Sequence, residues 1–590
     1  MLDSLRSAFR GLHLGKEQRT LAIQAIVIGV VVWIAIFALK ESVHWLFHEV
    51  LHWIERAPTP IVLFVPLCVG ALIVGLIARY RPETINFRTE EGEIEELDLI
   101  EGDGIERAIA LYFAADPSVR KGDPADQSGL EARWRKSTFG LAVRKFIASL
   151  VTLGGGGSGG LEATAALIGE SLGAWYYKLR SGKPSDGAQD RQPPSPSIEL
   201  PWQAPNPDYL QTAQLCGIAA AVTVLLGAPL AAAFFASEVM YRSRPLLEKL
   251  FYSLISALTA QVLSSFVTGA RPRLFGVENI SYPGAANVRY WVGLVLMGIA
   301  LAFVGQLYRI LNEQFHTWFQ RGIKDRFVRL LAGFGLTGAI ALAAYYVMRW
   351  LGITDRGLEL VLGSGESMVI AAFAGQVTLV VALIGLVAKM LATLATINAG
   401  GSAGLLVPSF FFGTMVATAF ARALSTEPLH FIVPALTGSL IAIVNTPFAA
   451  LIFVVEEFGA DYLLPALLIL IVTGLLSNPK TIYRTQQTAQ ESIEILPGYD
   501  IQLLGIPAAW VGKTLKALKL HDRFGVEAVG LLDRSPGAGQ PRVLFGSQLD
   551  EEMALTADDT VLVYGQEEKL AALEAAESQL NLSEKGRNDD

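Results

Sequence analysis

Residues 157–170, GSGGLEATAALIGE, align without a gap on residues 401–414, GSAGLLVPSFFFGT. A second pair of segments, 228–240 (APLAAAFFASEVM) and 446–458 (TPFAALIFVVEEF), aligns in the same way. The chain therefore consists of two related halves, and each half has a glycine-rich break followed by apolar helix. Repeated halves with broken helices are typical of membrane transporters, whose substrate site lies between the repeats.

The composition indicates a membrane protein. Of the 590 residues, 52% are hydrophobic and 17% are charged, and the mean hydropathy is +0.42. An average soluble domain carries roughly a quarter charged residues. Several long apolar runs match the hydrocarbon thickness of a bilayer, and the first lies too deep in the chain for a cleaved signal peptide. These runs are 21–39, 61–78, 291–305, 329–348, 369–396 and 431–455.

The distribution of positive charge predicts the orientation. The net charge of −8 is uninformative by itself, because acidic residues concentrate in one loop and in the C-terminal tail. Lysine and arginine cluster at some ends of the apolar runs, which predicts that these ends and both termini are cytoplasmic. Cys68 and Cys216 lie in apolar runs, so we expect buried thiols and neither a disulfide framework nor a cysteine metal site.

Three regions follow one another along the chain. Residues 1–20 read as a cytoplasmic amphipathic leader, 21–490 as a helical membrane domain, and 491–590 as a cytoplasmic regulatory domain with a tail. Two polar insertions, 81–101 and 180–208, interrupt the membrane domain. Both are predicted to be solvated loops, and the second is rich in Pro, Ser, Gly and Gln.

The C-terminal region has the pattern of a small α+β domain, with a helix predicted from Glu567 to about Ser578. Its segments VGKTLKALKLHDRFGVEAVGLLDR and LTADDTVLVYGQEEKLAALE resemble the C-terminal half of RCK modules, the TrkA-C type, which sense small ligands in potassium transport systems. The Gly512–Thr514 stretch is not a phosphate loop, because Pro507 stands where that motif needs glycine. The predicted strands are Ile501–Leu504, Ala528–Leu532, Val543–Phe545 and Thr560–Tyr564.

The two breaks point to an anion as the substrate. A helix that begins inside a membrane leaves its first amides unpaired, and its dipole makes that end positive. Two such ends, at Gly160 and Gly404, would form a backbone cradle for an anion if they faced one point. Neither break contains Lys or Arg, which suits an ion that must be released. The alternative is that both are close-packed glycine contacts between helices.

Glu162 lies two residues into the first break, in an otherwise apolar helix start. A carboxylate inside a membrane is a functional candidate by default. Its charge would compete with an anion for the same amides, so its protonation would open the site. The alternative is a structural carboxylate that the helix N-terminus satisfies.

These segments resemble the CLC family of chloride channels and transporters over about residues 20–490. The segment around Glu162 resembles the family's Gly-Arg/Lys-Glu-Gly-Pro motif, 102–106 (GDGIE) its Gly-Ser-Gly-Ile-Pro motif, and 404–408 (GLLVP) its Gly-x-Phe-x-Pro motif. Segment 478–487 resembles the final helix that brings a tyrosine, here Tyr483, to the ion.

The resemblance implies an all-α polytopic fold of two inverted repeats, a homodimer with one pore per subunit, and a prokaryotic inner or plasma membrane. It implies chloride or another small anion as the transported ligand, a gate at Glu162 and no cofactor, metal, enzymatic activity or nucleic-acid partner. The implied anion-binding residues are Asp103, Gly104, Ile105, Gly160, Leu161, Glu162, Gly404, Leu405, Leu406 and Tyr483.

Three departures from the family pattern change the expected chemistry. Asp103 replaces a serine whose hydroxyl faces the ion, and an ionised carboxylate there would repel an anion. Ala163 and Thr164 replace Gly-Pro after the gate. Glu238 aligns with the first of a glutamate pair, and the second, a proton-handling residue of family exchangers, is Val239. We therefore expect channel-like conduction, with proton-coupled exchange as the alternative, in which Glu238 takes over the proton.

Other functions are weaker readings of the sequence. The segment His48–Glu49–Val50–Leu51–His52 matches a zinc protease motif, but no apolar segment supplies an acidic third ligand. The TrkA-C-like tail and residues 152–157 (TLGGGG) suggest a potassium pathway, although the filter's aromatic residue and fourfold repetition are absent. Within the CLC fold, Asp103 leaves fluoride, nitrate or bicarbonate open as the preferred anion.

Overall fold

The computed structural model describes residues 16–573, with interruptions, and the 1–20 leader therefore lies mostly outside the described residues. The predicted loop 180–208 also lies mostly outside them. The interruptions are 89–93, 116–132, 134–135, 182–206, 241–246, 270–273, 276–287, 354–356, 478–481, 487–492, 497–498, 508–509, 534–541, 546–552, 557–558, 567–568 and 571–572.

The first half of the membrane domain is a succession of helices with one small sheet. Seven non-helical residues, 155–161, separate the fourth helix from the fifth. The elements are α1 Lys16–Arg56, α2 Phe64–Tyr80, β1 Thr84–Arg88, β2 Ile94–Asp98, α3 Gly104–Phe113, α4 Phe139–Gly154, α5 Glu162–Ser181, α6 Pro207–Leu226, α7 Pro229–Glu238 and α8 Leu247–Thr268.

The second half repeats this order of long and short helices. The helix that follows its glycine-rich break begins at Leu406, immediately after Leu405. The elements are α9 Val288–His316, α10 Arg326–Trp350, α11 Glu366–Phe373, α12 Leu379–Asn398, α13 Leu406–Ala423, α14 Pro428–Ile443, α15 Pro447–Phe458 and α16 Leu463–Leu476.

The predicted helical membrane fold is confirmed. Eight of the described helices are long and apolar enough to cross a membrane, and exposed Leu, Ile, Val and Phe side chains cover the outer faces of several of them. The core between the helices is instead built from alanine, glycine and small hydroxyl residues. Small residues let helix backbones approach closely where lipid offers no hydrophobic drive for association. At Gly169 and Gly217, for example, α5 and α6 touch so closely that an added Cβ would lie 2.0–2.2 Å from a backbone oxygen.

The prediction of a solvated loop at 81–101 is wrong. Thr84–Arg88 and Ile94–Asp98 form a two-stranded sheet, and Glu101 is 3% exposed. Its carboxylate pairs with Arg329 Nη2 at 2.5 Å and with Arg326 Nε at 2.9 Å. Asp98 and Glu101 of this insertion are therefore paired with arginines of α10, more than 200 residues further along the chain.

The chain divides into two compact units, and the second contains residues 488–590 together with two short pieces, 88–95 and 116–132. Its sheet has the order β3-β4-β7-β5-β6, and all neighbouring strands are antiparallel. The four predicted strands are present, whereas most of the predicted helix after Glu567 lies outside the described residues. The elements are β3 Ile493–Leu496, β4 Tyr499–Gly505, α17 Leu515–Leu518, α18 Leu520–Phe524, β5 Val526–Asp533, β6 Arg542–Phe545 and β7 Thr560–Gln566.

Candidate functional site

The two glycine-rich breaks meet. Gly160 N donates to Gly404 O at 2.7 Å, and Gly404 N donates to Gly160 O at 2.8 Å. This pair is an isolated antiparallel bridge between the halves of the membrane domain. Because the amides of Gly160 and Gly404 are occupied by each other, these two predicted anion-binding residues join the breaks, and any cradle must come from the residues after them.

Three helix N-termini converge on Ala163. A Cβ at Gly404 would lie 2.3 Å from the Ala163 Cβ, and a Cβ at Gly104 would lie 2.1 Å from the Ala163 carbonyl oxygen. Glycine is needed at both positions because any side chain would collide with α5. The starts of α3, α5 and α13 are thereby held together, with their positive dipole ends at one place.

The amides of the predicted cradle belong to the first turns of α5 and α13. The first backbone hydrogen bonds of these turns run from Ala165 N to Leu161 O and from Ser409 N to Leu405 O. The preceding amides, including those of Leu161, Glu162, Leu405 and Leu406, have no partner inside their own helix. Leu161, Leu405 and Leu406 are all buried.

The Glu162 carboxylate lies between the two breaks. The residue is 4% exposed, and a Cβ at Gly160 would lie 2.5 Å from its Oε2. The carboxylate interacts with its own backbone amide and with the amide of Val407 in α13, and Oε2 has no hydrogen-bond partner among the residues that the structure describes. A negatively charged group of one half thus reaches the helix start of the other half.

Charged groups that the sequence did not single out surround this carboxylate. Glu162 interacts electrostatically with Glu366, at the start of α11, and with Lys40 of α1. Glu366 also interacts with Lys40 and with His44. No motif marked Glu366, because only the fold brings α11 beside α5.

Asp103 caps α3. Its Oδ1 accepts from Ile105 N at 2.8 Å and from Glu106 N at 3.4 Å. Ile105 was expected to bind the anion, but its amide is already donated to Asp103. The carboxylate's Oδ2 is buried and has no hydrogen-bond partner within the described part of the chain.

Tyr483 lies within electrostatic range of Asp103, and so does a second tyrosine, Tyr308. Tyr483 is 2% exposed and interacts electrostatically with Asp103 and with Tyr308 of α9. The Tyr483 segment is fixed by Thr485 Oγ1, which donates to Glu106 O at 2.8 Å, and by Gln486 Nε2, which donates to Val239 O at 2.6 Å. Tyr308 carries no sequence signal, because a lone tyrosine in an apolar helix is common.

The proposed proton-handling pair has a structural role. Both carboxylate oxygens of Glu238 accept backbone amides at the start of α15, from Phe448 N at 3.1 Å and Ala449 N at 2.9 Å. Glu456, its repeat counterpart, accepts from Leu230 N and Ala231 N at the start of α7. Val239 contributes only its carbonyl oxygen to the Tyr483 segment.

Two buried lysines mark equivalent places in the repeats. Lys145 Nζ donates to Ile100 O at 2.9 Å and Gly102 O at 3.0 Å. Lys389 Nζ donates to Val361 O at 3.0 Å and Gly363 O at 2.6 Å. Each lysine therefore holds the loop that leads into a short helix, α3 or α11, although sequence reasoning missed both.

Neither the zinc protease motif nor the glycine run 152–157 forms a binding site of its own among the described residues. The His48 and His52 rings lie 4.3 Å apart on α1, but no group of three His, Cys, Asp or Glu residues that could hold a metal occurs in the described ranges. In the glycine run 152–157, Thr152 Oγ1 accepts from Ser402 N at 3.2 Å. That run is therefore part of the contact between the two breaks.

Comparisons with known proteins identify the family. The family model "Voltage gated chloride channel" matches residues 107–478, more than half of the chain. "Voltage-gated ClC-type chloride channel ClcB" of Escherichia coli is 26% identical over 290 residues, 47% of this chain and 64% of that protein. The chain thus spans less than two thirds of the length of the curated relatives it matches.

Solved structures share the fold. A CLC-type fluoride/proton antiporter superposes with a TM-score of 0.58 at 19% identity, over 81% of this chain and 100% of the other. A slow cyanobacterial Cl−/H+ antiporter superposes with a TM-score of 0.56 at 17% identity, over 78% and 96%. With the paired breaks and the matched family model, the chain is a member of the voltage-gated chloride channel family, the CLC family.

Proposed function

We propose that this integral membrane protein conducts chloride or a similar small anion past a gate formed by Glu162. Members of its family are channels or transporters of anions, which supports transport as the class of activity. The transport, the gate and the ion are all parts of this proposal. The observation that carries it is the position of the Glu162 carboxylate at the Val407 amide, between two helix starts.

The gate works by competition. The carboxylate interacts with the amides of Glu162 and Val407, at the same two helix starts whose amides, those of Leu161, Glu162, Leu405 and Leu406, we propose for the anion. When the carboxylate takes a proton, it loses the charge that attracts it to these helix ends. The amides are then available to an anion, which the dipoles of α5 and α13 attract in the same way.

Conduction is proposed to be passive. An exchanger needs a second carboxylate that can carry a proton, and Glu238 holds two amides of α15 with both of its oxygens. Val239 has no titratable group. The second candidate is proton-coupled exchange, which the likeness of the fold to two proton antiporters favours.

Flux measurements on liposomes containing the purified protein test the gate. Glu162→Gln removes the charge but keeps the side chain's shape, so anion flux should become less dependent on pH. Glu49→Gln is the matched control, because Glu49 is an exposed carboxylate of α1 that contacts neither break. If Glu162→Gln retained the pH dependence of the unchanged protein, Glu162 would not be the gate.

The same liposomes decide between the two mechanisms and among the anions. A proton gradient should not drive uphill chloride movement in a passive pathway, whereas an exchanger would show proton flux in fixed proportion to chloride. Flux rates measured with gradients of fluoride, nitrate and bicarbonate rank the anions. These ions are included because Asp103 replaces a serine that faces the ion in the family pattern.

We also propose a homodimer with one pore in each subunit, in a prokaryotic inner or plasma membrane with cytoplasmic termini. No cofactor and no nucleic-acid partner is part of the proposal. The mass of the detergent-solubilised protein tests the dimer, and reporter fusions at each terminus test the orientation.

A further inference from the structure

A second polar group lies apart from Glu162 and is centred on Asp103. The Asp103 side chain is 5% exposed and Tyr308 is fully buried. Asp103 Oδ2 and Tyr308 Oη both lack hydrogen-bond partners among the described residues, and the two groups interact electrostatically. Tyr483 also interacts with Asp103. A carboxylate oxygen and two phenols, from three separate elements, thus share one buried region.

One of the two contacts that Asp103 makes at the start of α3 is made by an uncharged side chain in the other repeat. Gly102–Gly104 and Gly363–Gly365 occupy equivalent places, since the buried lysines bind Gly102 O and Gly363 O. In the second repeat the central residue is Ser364, whose Oγ accepts from Glu366 N as Asp103 Oδ1 accepts from Ile105 N. A serine therefore performs the same local contact without charge.

We propose that Asp103 and Tyr308 form a second, proton-operated gate on the anion pathway. This inference rests on the proposed function. When Oδ2 is ionised, its charge attracts the phenol groups of Tyr308 and Tyr483 and repels an approaching anion. When Oδ2 takes a proton from solution, it presents an O–H donor, as a serine hydroxyl would at this place, and the phenols are released to donate to the anion.

The neighbouring cations do not take over Oδ2. Arg107 Nη1 donates to Asp103 O and to Glu106, and Lys145 Nζ donates to Ile100 O and Gly102 O. Their positive charge supports the ionised form at a distance, while these hydrogen bonds go to acceptors other than Oδ2. The titratable or charged groups around Asp103 are Glu106, Arg107, Lys145, Tyr308 and Tyr483, with Arg484 and His316 beside Glu106 and Glu162 on the adjoining α5.

The experiment measures chloride flux through the full-length protein in liposomes, with the pH varied on one face while the other is held constant. Asp103→Ser and Asp103→Asn remove the charge, and both serine and asparagine are good caps, so α3 should stay formed. Asp325→Asn is the matched control, since Asp325 caps α10 through Val328 N at an exposed position.

In both Asp103 variants, we expect chloride flux to stop depending on the pH of the membrane face at which it is varied. At high pH, both variants should conduct chloride faster than the unchanged protein. Tyr308→Phe removes a hydroxyl group that favours the ionised form of Asp103. In this variant Asp103 should stay protonated to higher pH, so chloride flux should persist to higher pH. Asp325→Asn should match the unchanged protein. By calorimetry, Asp103→Ser should bind chloride more tightly at high pH, and this difference should shrink as the pH falls.

Two failures are distinguishable. If the unchanged protein and Glu162→Gln carried no chloride, the proposed function itself would fail. If they carried chloride and the Asp103 variants kept the unchanged pH dependence and chloride affinity, only the second gate would be refuted.

Discussion

Close packing at single glycines sets the geometry of the pathway. Gly404 packs against Ala163, which requires that residue 404 have no side chain. Its amide and its carbonyl group are hydrogen-bonded to Gly160. Ala163 stands where the family motif has glycine, and its methyl group leaves no room for a side chain at Gly404. Where the two breaks meet, the site is therefore defined by backbone atoms, with Glu162 as the side chain that enters it.

Gly404→Ala should therefore damage both packing and transport. The added methyl group would overlap the Ala163 Cβ at 2.3 Å, and overpacking of this kind costs about 1–3 kcal/mol or more. Thermal unfolding in detergent and liposome flux should both show the loss. Gly335→Ala in α10 is the control, because a Cβ there meets nothing within 4 Å and alanine favours a helix. Equal behaviour of the two variants would contradict this account.

The buried lysines give a second test at the residue scale. Lys145→Met and Lys389→Met each leave two buried carbonyl oxygens without their donor, and an unsatisfied buried group costs about 1–3 kcal/mol. We expect similar destabilisation from both, since the two lysines make matching contacts in the two repeats. Thermal unfolding measures it, with Lys324→Met, at an exposed position, as the control. A large effect of only one lysine would show that the repeats differ here.

At the scale of elements, α7 and α15 cap each other. Glu238 near the end of α7 accepts amides at the start of α15, and Glu456 near the end of α15 accepts amides at the start of α7. Each carboxylate places negative charge at a positive helix end and satisfies donors that a helix start leaves unpaired. The aligned glutamates of the repeat are thus explained by helix pairing between the two halves.

Glu238→Ala and Glu456→Ala should each lower the free energy of unfolding by about 1.5–3 kcal/mol, the range for hydrogen bonds to a charged group. The two losses should be similar in thermal unfolding. Glu238→Gln keeps one acceptor oxygen and should lose less. If Glu238→Gln instead abolished proton-driven chloride movement while stability was unchanged, Glu238 would be a proton carrier and passive conduction would be wrong.

The sequence predicted the elements whose signal is local. Apolar runs predicted the spanning helices, and the repeated glycines predicted breaks at Gly160 and Gly404. The β1–β2 sheet was missed, because Asp98 at its end and Glu101 just after it are paired with Arg326 and Arg329, far away in the chain. Tyr308 was missed for the same reason, since only the packing of α9 brings it to Asp103. Lys145 and Lys389 could have been found, because each lies fifteen residues before its break glycine.

On the scale of the whole molecule, two repeats supply the pathway and a separate α+β unit completes the chain. The second unit has its own core, including Trp510, Val526, Val561 and Val563, which are all nearly or fully buried. The similarity of its sequence to TrkA-C domains stays a prediction. Its residues from 488 onward follow the Tyr483 segment in the chain. We predict that this covalent connection transmits a change in the second unit to Tyr483.

The last prediction concerns this coupling. Val563→Asp places a charge in the core of the second unit, where Val563 is 0% exposed, and should unfold that unit while the membrane domain stays intact. The Tyr483 segment would then be followed by unfolded chain, while it keeps its own contacts, including those of Thr485 and Gln486. We expect weaker chloride binding by calorimetry and altered liposome flux, with the same change after truncation at residue 492. Thr560→Val, on the same strand at a half-buried position, is the control. Unchanged flux, affinity and assembly in both Val563→Asp and the truncated chain would mean that the second unit does not regulate the pore.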